Sequence, residues 1–350
     1  MTKWNRRAFV GGLTGAALTA SVSTKGQAQT VSPAHLAGPD RTQRLIAAAK
    51  KEGVLNLYSS AIADHMSAVT AAFEKTYGLP VKTWRGGSEE ILQRAVTEAR
   101  GGRFDMDVAE TAAMQIMEIA HEKLLEPVAT PVAAELMEQA RIPGEPWLPS
   151  RIIVFTGAYN TRLIAPADLP KSYDALLNPK WKGKLGIEAD DNNWLMALCS
   201  AMGEARGLKL FGDIVAQNGI SVRKGHTLLA NLVASGEVPV ALSVYYHEIG
   251  PLKRSGAPIA ELNIPPVFSF PAGIGLAKRA PHPNAGVLFI DFLLTAGQPI
   301  LAQHDEIPAN LRDRHLPAGM TLSFMDIPRY IAENGKWTKL YKDLLARQRL

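Results

Sequence analysis

Residues 54–84, VLNLYSSAIADHMSAVTAAFEKTYGLPVKTW, contain a complete strand–helix–strand unit. Residues 54–60 predict a strand that ends in a loop, and residues 65–77 have the apolar spacing of a helix. Gly78, Leu79 and Pro80 break that helix, and a second strand is predicted at 81–84. The same alternation continues beyond this unit, so the chain is expected to belong to the α/β class.

The rest of the chain extends this pattern. The following segments are predicted in order: a helix at 89–100, a strand at 107–109, a helix at 112–122, and strands at 151–159, 185–188, 238–244 and 274–277. From Asn284 onward the sequence is mainly helical. Strands that alternate with helices predict a mostly parallel sheet with helices on both faces.

Length and composition are those of an ordinary globular protein. The 350 residues are 47% hydrophobic and 20% charged, which fits two domains or one large α/β unit. A core of this size needs no disulfide or structural metal. The single cysteine, Cys199, lies in an apolar helix and is interpreted as a core residue rather than a nucleophile.

The first 28 residues resemble a twin-arginine export signal. Arg6 and Arg7 precede an uncharged apolar stretch at 9–22, and small residues at 26–28 have the spacing of a cleavage site. The alternative is an N-terminal membrane anchor, but the stretch is short for a bilayer of about 30 Å. Export to the periplasm is therefore predicted.

The export signal also accounts for most of the basic charge. The formal charge is +5, but residues 1–28 carry four basic side chains and no acid, so the mature chain has a charge of +1. Nucleic-acid binding is not expected, because no basic run with interleaved aromatic residues follows the signal.

Candidate ligand-binding residues follow the predicted strands, because ligands of open α/β sheets bind at the carboxyl ends of the strands. These loops contain Ser59-Ser60, Arg85 to Ser88, Glu110-Thr111, Asp190 to Trp194, and Tyr245 to His247. The adjacent acids Asp190 and Asp191 are interpreted as a solvated pair.

Two of the predicted helices begin with residues that suit an anion. Arg85 precedes a helix for which Ser88 is the expected N-cap, and free N–H groups there favour anions. Arg223 and His226 precede the helix predicted at 228–234, where cations oppose the helix dipole. The alternative for the first helix is an ordinary capped helix start without a ligand. The alternative for the second is a solvated basic turn.

Tyr245, Tyr246, His247 and Glu248 are the densest group of potential metal ligands. Phenolate, imidazole and carboxylate donors suit Fe³⁺. Successive strand residues point to opposite faces, so both tyrosines reach one ion only where the strand ends or bends. The alternative is an aromatic pair that packs at a strand end. The sequence lacks the G-x-S-x-G, H-E-x-x-H and G-x-x-x-x-G-K-[ST] motifs, and no enzymatic activity is expected.

Five segments together resemble the periplasmic solute-binding proteins of ABC importers, in the class that includes ferric-ion-binding proteins. They are LNLYSS (55–60), DVAET (107–111), NPKWKGKLG (178–186), LVASGEVPVAL (232–242), and APHPNA with FIDFLL (280–285 and 289–294). Their order matches the family from about Lys51 to Leu301.

This resemblance implies a bilobed, type II-like fold with two mixed sheets flanked by helices. Lobe 1 is expected at 29–151 plus part of 264–350, and lobe 2 at 152–263. Strands at 152–160 and 238–244 would form the hinge. A monomer would close over its ligand and dock on an ABC permease in the inner membrane.

The resemblance also implies a ligand set. Two adjacent tyrosines ligate iron in ferric-binding relatives, and these correspond to Tyr245 and Tyr246, or to Tyr246 and His247 in an ungapped match. Glu110 lies near the position of the family's acidic ligand, and His65 comes some residues after the position of the family's histidine ligand. The expected cargo is ferric iron or an iron chelate, and no cofactor is expected.

Other residues of the expected cleft favour a different cargo. Arg85, Asn193, Trp194, Arg223 and His226 suit a small organic anion such as a phosphonate, a sugar phosphate or a carboxylate. A transferase-type enzyme on the same fold is a further alternative. A sensor or scaffold protein that takes no part in transport is another alternative.

Overall fold

A computed structural model of the protein describes residues 32–313, 316 and 320–347. The predicted export signal lies outside the described residues. None of the helices in the described part of the chain has the length and apolar character needed to cross a bilayer.

Helices and strands alternate through most of the chain. The helices are α1 (Arg41–Glu52), α2 (Ala63–Tyr77), α3 (Ser88–Arg100), α4 (Ala113–His121), α5 (Asn192–Met202), α6 (Glu204–Asn218), α7 (His226–Ser235), α8 (Tyr246–Arg254), α9 (Pro283–Leu293), α10 (Gly297–Ala302) and α11 (Ile327–Leu345). The strands are β1 (Leu55–Ser59), β2 (Val81–Arg85), β3 (Val108–Ala112), β4 (Leu125–Glu126), β5 (Leu148–Asn160), β6 (Leu185–Glu188), β7 (Ser221–Arg223), β8 (Val240–Tyr245), β9 (Ile259–Leu262), β10 (Val267–Ala277), β11 (Ile307–Pro308) and β12 (Leu322–Phe324).

The strand–helix–strand unit predicted at 54–84 is confirmed. β1 pairs in parallel with β2, with Tyr58 opposite Trp84, and β1 also pairs in parallel with β3. Gly78 ends α2 in the left-handed conformation with a φ of 66°, which a glycine adopts without strain. As a result, the carboxyl ends of β1 and β3 lie side by side.

The expectation of a mostly parallel sheet is wrong for the centre of the fold. β10 is antiparallel to both β3 and β5, and β8 is antiparallel to β5. A helix between two strands favours parallel pairing only when those strands are neighbours in the sheet. β5 and β10 are far apart in sequence, so local alternation carries no information about their relative direction.

β5 belongs to two sheets. Its first half pairs with β10 and β11, and its second half pairs with β8 and β9. β6 then pairs in parallel with β8, and β7 pairs in parallel with β6. The residues expected to form one hinge strand, 152–160, thus lie within the strand that runs through both sheets.

Aliphatic and aromatic side chains fill the space between the sheets and their helices. One cluster contains Trp194, Phe211 and Trp337, and a second contains Leu57, Phe73 and Phe289. Cys199 lies in α5 and is buried within the first cluster. Burial raises the pKa of its thiol to about 12. A thiol held neutral in this way fits the interpretation of Cys199 as a core residue.

Candidate functional site

A buried ion-pair network begins where β1 and β3 end. Ser59 donates a hydrogen bond from Oγ to Glu110 Oε2 at 2.8 Å, and Arg151 donates from Nε to Glu110 Oε1 at 3.1 Å. Ser150 also lies 3.0 Å from Glu110 Oε1 through its Oγ. Both carboxylate oxygens of Glu110 therefore accept hydrogen bonds from other side chains of the protein.

Arg151 links this carboxylate to a second one. Its Nη1 lies 3.1 Å from Glu306 Oε2, and Glu306 also contacts His65 Nδ1 at 3.0 Å and His247 Nδ1 at 3.3 Å. Burial alone would raise the pKa of Glu306, but Arg151 and the histidines lower it to about 2. Glu306 is therefore a charged, fully buried anion that ties β5 to α2 and α8.

A second polar cluster lies at the carboxyl end of β6. It contains Glu188, Asp191 and His226, which are buried or half-buried, and one ligand atom from each lies within 4.8 Å of the others. Asp191 Oδ1 is 3.3 Å from His226 Nε2. Carboxylate oxygens and an imidazole nitrogen at this spacing form a candidate cation site.

The backbone around Glu188 fixes the orientation of its carboxylate. The N–H of Gly225 donates to Glu188 Oε1 at 2.9 Å, and the N–H of Asp190 donates to Glu188 Oε2 at 2.5 Å. Gly225 has a φ of 102°, a conformation that L side chains rarely adopt, and this turn places His226 at the first position of α7. Glycine at 225 therefore brings both its own N–H and the imidazole of His226 to Glu188.

Tyr245 joins this cluster from the last position of β8. Its ring stacks on that of His226, with centroids 3.6 Å apart and planes inclined by 29°, and lies 5.5 Å from the ring of His247. Burial, followed by the carboxylates of Asp191 and Glu188, raises the pKa of Tyr245 well above its usual value. Although Arg151 opposes this effect, Tyr245 is therefore a neutral phenol at neutral pH.

His247 connects the two polar clusters as a neutral imidazole. Burial, with further contributions from Arg151 and the neighbouring histidines, lowers its pKa to about 4 despite the nearby Glu306 carboxylate. Because Nδ1 faces that carboxylate, the proton of the neutral ring belongs on Nδ1. The lone pair of Nε2 is then free to accept a proton or bind a metal.

Residues 60–298 match the model of a family described as bacterial extracellular solute-binding proteins. The chain belongs to this family. The match covers more than half of the sequence, and it confirms the resemblance drawn from the five segments.

Individual relatives of this solute-binding protein include two proteins of iron metabolism. It is 28% identical to iron uptake protein A1 of Synechocystis sp. over 278 residues, which cover 72% of this chain and 74% of the relative. It is 23% identical to the Fe(3+)-binding periplasmic protein of Serratia marcescens over 297 residues, which cover 81% and 86%.

The fold of the solute-binding protein is also similar to that of solved structures. Iron-bound HitA from Pseudomonas aeruginosa superposes with a TM-score of 0.72 at 22% identity, over 83% of this chain and 99% of HitA. The predicted fold, a bilobed α/β structure with two mixed sheets, is confirmed.

The two tyrosines of this solute-binding protein diverge. Tyr246 is the first residue of α8 and packs against the cluster that contains Leu57 and Phe289. After burial, the acids that most raise its pKa are Glu261 and Asp305, neither of which belongs to the Glu188 cluster. Tyr245 and His247, rather than Tyr245 and Tyr246 or Tyr246 and His247, thus share one side of the chain, because Tyr246 turns away as the first residue of α8.

Ser60, Ser88 and Arg85, near the ends of β1 and β2, make hydrogen bonds within the protein. Ser60 donates its N–H to the carbonyl of Glu110, and Ser88 Oγ lies 3.2 Å from Ser60 Oγ. Arg85 is exposed and its Nε lies 3.3 Å from the carbonyl of Ala61. The prediction that Ser88 caps α3 is wrong, because Ser88 is already helical and Gly87 is the N-cap.

Trp194, Asn193 and Arg223 have other partners. Trp194 is 1% exposed and packs edge-on against Tyr173 and Phe211, so the prediction that it lines the site is wrong. The first turn of α5 directs its ring into the core. Asn193 Oδ1 accepts a hydrogen bond from the next backbone N–H, and Arg223 pairs with Glu237 at 3.1 Å near the surface.

Four residues of the two polar clusters were missed as candidates. Asp191 was interpreted as solvated, but it is 3% exposed. Glu188 ends a strand and could have been selected by that position alone. Arg151 begins a long apolar stretch, and a charge there indicates a buried partner. No local pattern marks Glu306, because its partner Arg151 is distant in sequence.

Helix α11 supports the loop that carries Glu188 and Asp191. Tyr341 donates from its hydroxyl to the backbone carbonyl of Glu188 at 2.6 Å. Tyr330 donates to Asn192 Oδ1 at 2.6 Å, and Asn192 Nδ2 donates to Thr338 Oγ1 at 2.6 Å. The site is therefore attached to the last helix of the chain at both ends of its acidic loop.

We expect Tyr341→Phe to lower the free energy of unfolding by about 1–3 kcal/mol, because the buried carbonyl of Glu188 loses its donor. Equilibrium denaturation with urea measures this loss. Tyr77→Phe is the control, since the Tyr77 hydroxyl makes no hydrogen bond within the described residues, and it should change stability much less. Equal effects of the two variants would contradict the importance of the Tyr341 hydrogen bond.

Proposed function

We propose that this chain is a periplasmic receptor that binds ferric iron between its two lobes and delivers it to an ABC permease in the inner membrane. The iron-binding and iron-uptake proteins among its relatives support this cargo. In the proposed arrangement, 29–151 with part of 264–350 forms one lobe, 152–263 forms the other, and β5 and β8 act as hinge strands. The receptor acts as a monomer and reaches the periplasm through its twin-arginine signal.

The observation that carries the cargo assignment is the acidic surrounding of Tyr245. Glu188 and Asp191 lie beside its ring partner His226, and Glu248 also contributes negative charge there. The nearby cation, Arg151, is already paired with two carboxylates. A surplus of buried negative charge attracts a multiply charged cation and repels an anion.

Tyr245 supplies the donor that distinguishes iron from other cations. Phenolate is a hard oxygen ligand that suits Fe³⁺. The raised pKa of Tyr245 means that the phenol ionises only when a strong Lewis acid compensates for its charge. Neutral His247, with Nε2 available, is the second proposed ligand.

The same surroundings weigh against the other candidate cargoes. Arg223 pairs with Glu237, and Arg85 is exposed and donates to the carbonyl of Ala61, so both basic side chains have partners outside the Glu188 cluster. A phosphonate, sugar phosphate or carboxylate would instead meet several carboxylates. The relatives described above are binding and uptake proteins, which supports binding rather than transferase chemistry.

Visible spectroscopy tests the proposal. Addition of ferric nitrilotriacetate to the metal-free protein should produce a phenolate-to-iron charge-transfer band. Tyr245→Phe should abolish this band, because it removes the phenolate oxygen. Tyr246→Phe is the matched control and should retain it, since Tyr246 lies among other acids.

Two results would contradict the proposal. A colourless wild-type protein that binds no ferric iron by equilibrium dialysis would exclude the cargo. Loss of the band in Tyr246→Phe, with retention in Tyr245→Phe, would place the ligand on the other tyrosine.

A further inference from the structure

We propose that Glu188, Asp191 and His226 form the carboxylate–imidazole half of the coordination shell of a hard, multiply charged cation, with Tyr245 beside them. This inference rests on the proposed function, which requires a cation cargo at Tyr245. It adds two carboxylates that neither the sequence motifs nor the family match assigns to ligand binding.

The distances fit a shared ion after a small contraction. One ligand atom from each of the three side chains lies within 4.8 Å of the others. Ligands about 2.0–2.2 Å from one metal ion are separated by roughly 3–4 Å from each other. Shifts of less than about 1 Å therefore bring the donors into coordination distance.

Two unpaired atoms provide independent evidence for a ligand. Asp191 Oδ2 and His226 Nδ1 are buried and have no hydrogen-bond partner within the described residues. The Asp191 side chain is 4% exposed, so it cannot rely on bulk water. Most buried polar atoms have a partner, and two neighbouring exceptions in one cluster indicate atoms that await a ligand.

Separate segments of the chain hold the donors in place. Glu188 ends β6, Asp191 precedes α5, and His226 begins α7. Two backbone N–H groups orient the Glu188 carboxylate, and Tyr341 holds its carbonyl. The ring of Tyr245 stacks on His226, which fixes the imidazole against rotation. The donors are thus preorganised before the cation arrives.

The chemistry of the donor set defines the class of cation. Two carboxylates and a neighbouring phenol supply hard oxygens and compensating negative charge, and imidazole completes a set that suits iron. The carboxylates of Glu188 and Asp191 lie close together in a buried site, and a cation placed between them removes their mutual repulsion.

Substitutions that remove one charge without changing shape test the assignment. In the full mature protein, Asp191→Asn and Glu188→Gln should each weaken binding of ferric nitrilotriacetate about 10- to 100-fold, measured by competition with citrate. Asp190→Asn is the matched control, because it changes only an exposed side chain and keeps the backbone N–H that contacts Glu188, and it should bind like wild type.

The charge-transfer band gives a readout that a merely structural role would not change. Asp191→Asn keeps Tyr245, so the band should persist at saturating iron but shift in wavelength. Circular dichroism and the denaturation midpoint of each metal-free variant establish that it is folded. His226→Gln serves as a replacement should one of the acidic variants fail to fold, and it should also weaken binding.

The outcomes separate this inference from the proposed function. A Tyr245-dependent band with unchanged affinity and spectrum in Asp191→Asn and Glu188→Gln would overturn the inference while the function stands. If wild type binds no ferric iron, the proposed function fails, and titration with Zn²⁺ then tests the cluster alone. Loss of Zn²⁺ affinity in Asp191→Asn but not Asp190→Asn would support the cluster, and equal affinity would overturn it.

Discussion

Replacement of Arg151 by leucine should lower the free energy of unfolding of the metal-free protein by about 3–5 kcal/mol. The guanidinium contacts Glu110 and Glu306 at 3.1 Å each, and all three side chains are at most 3% exposed. Without Arg151, two buried carboxylates lose the positive charge that compensates for them. Urea or guanidinium denaturation, followed by fluorescence, measures the change in midpoint and slope.

Arg206→Leu is the control for this substitution. Arg206 pairs with Asp174 at 3.1 Å, but both side chains are more than half exposed, so its removal should cost about 1 kcal/mol or less. Equal losses in Arg151→Leu and Arg206→Leu would show that the buried network contributes no more than a surface pair.

The effect of Arg151→Leu should depend on pH in a defined direction. The pKa of Glu306 is about 2 in the folded protein, below its unfolded value of about 4.3. The stability from this shift is present above the unfolded pKa and is lost as the pH falls through the folded one. The difference between wild type and Arg151→Leu should therefore narrow between about pH 4 and pH 2.

Gly157→Ala should lower the free energy of unfolding by about 1–3 kcal/mol, and we expect the loss to lie near the upper end of this range. A Cβ at this position would lie 2.9 Å from the carbonyl oxygens of both Ala241 and Leu262. These oxygens belong to β8 and β9, which flank β5 on either side, so neither moves without disturbing strand pairing. Thermal and chemical denaturation of the metal-free protein measure the loss.

Gly335→Ala provides a control of opposite sign. Gly335 is exposed within α11, and a Cβ there meets nothing within 4 Å. Alanine favours the helix over glycine by about 1 kcal/mol, so this variant should be more stable than wild type. A Gly157→Ala protein as stable as wild type would mean that β8 and β9 can separate without cost.

The sequence was most informative where structure is local. The bounds of β6 match the prediction and α3 begins one residue before the helix predicted at 89–100, because such elements bury one face against neighbours along the chain. β10 is longer than the predicted 274–277. Pro271, Gly273 and Gly275 are unfavourable in strands, and only pairing with β3 and β5 makes the segment extended.

The candidate site was predicted in part. Tyr245, His226 and His247 each follow or begin a predicted element, and the topology of the sheet brings them together. Strand alternation indicated that both tyrosines could reach one ion only where the strand ends or bends, but which tyrosine faces the acids depends on where β8 ends. Glu306 contacts Arg151 only through tertiary folding, so no pattern near either residue could reveal the pair.

The support that α11 gives to the acidic loop has a consequence for the order of events during synthesis. The ribosome makes Glu188 and Asn192 long before Tyr330 and Tyr341, so a nascent chain carries the loop without its hydrogen-bond donors. Until α11 emerges, the carbonyl of Glu188 and the side chain of Asn192 have no fixed partners. Under the proposed function, newly made polypeptide therefore cannot hold iron tightly before its final helix has docked.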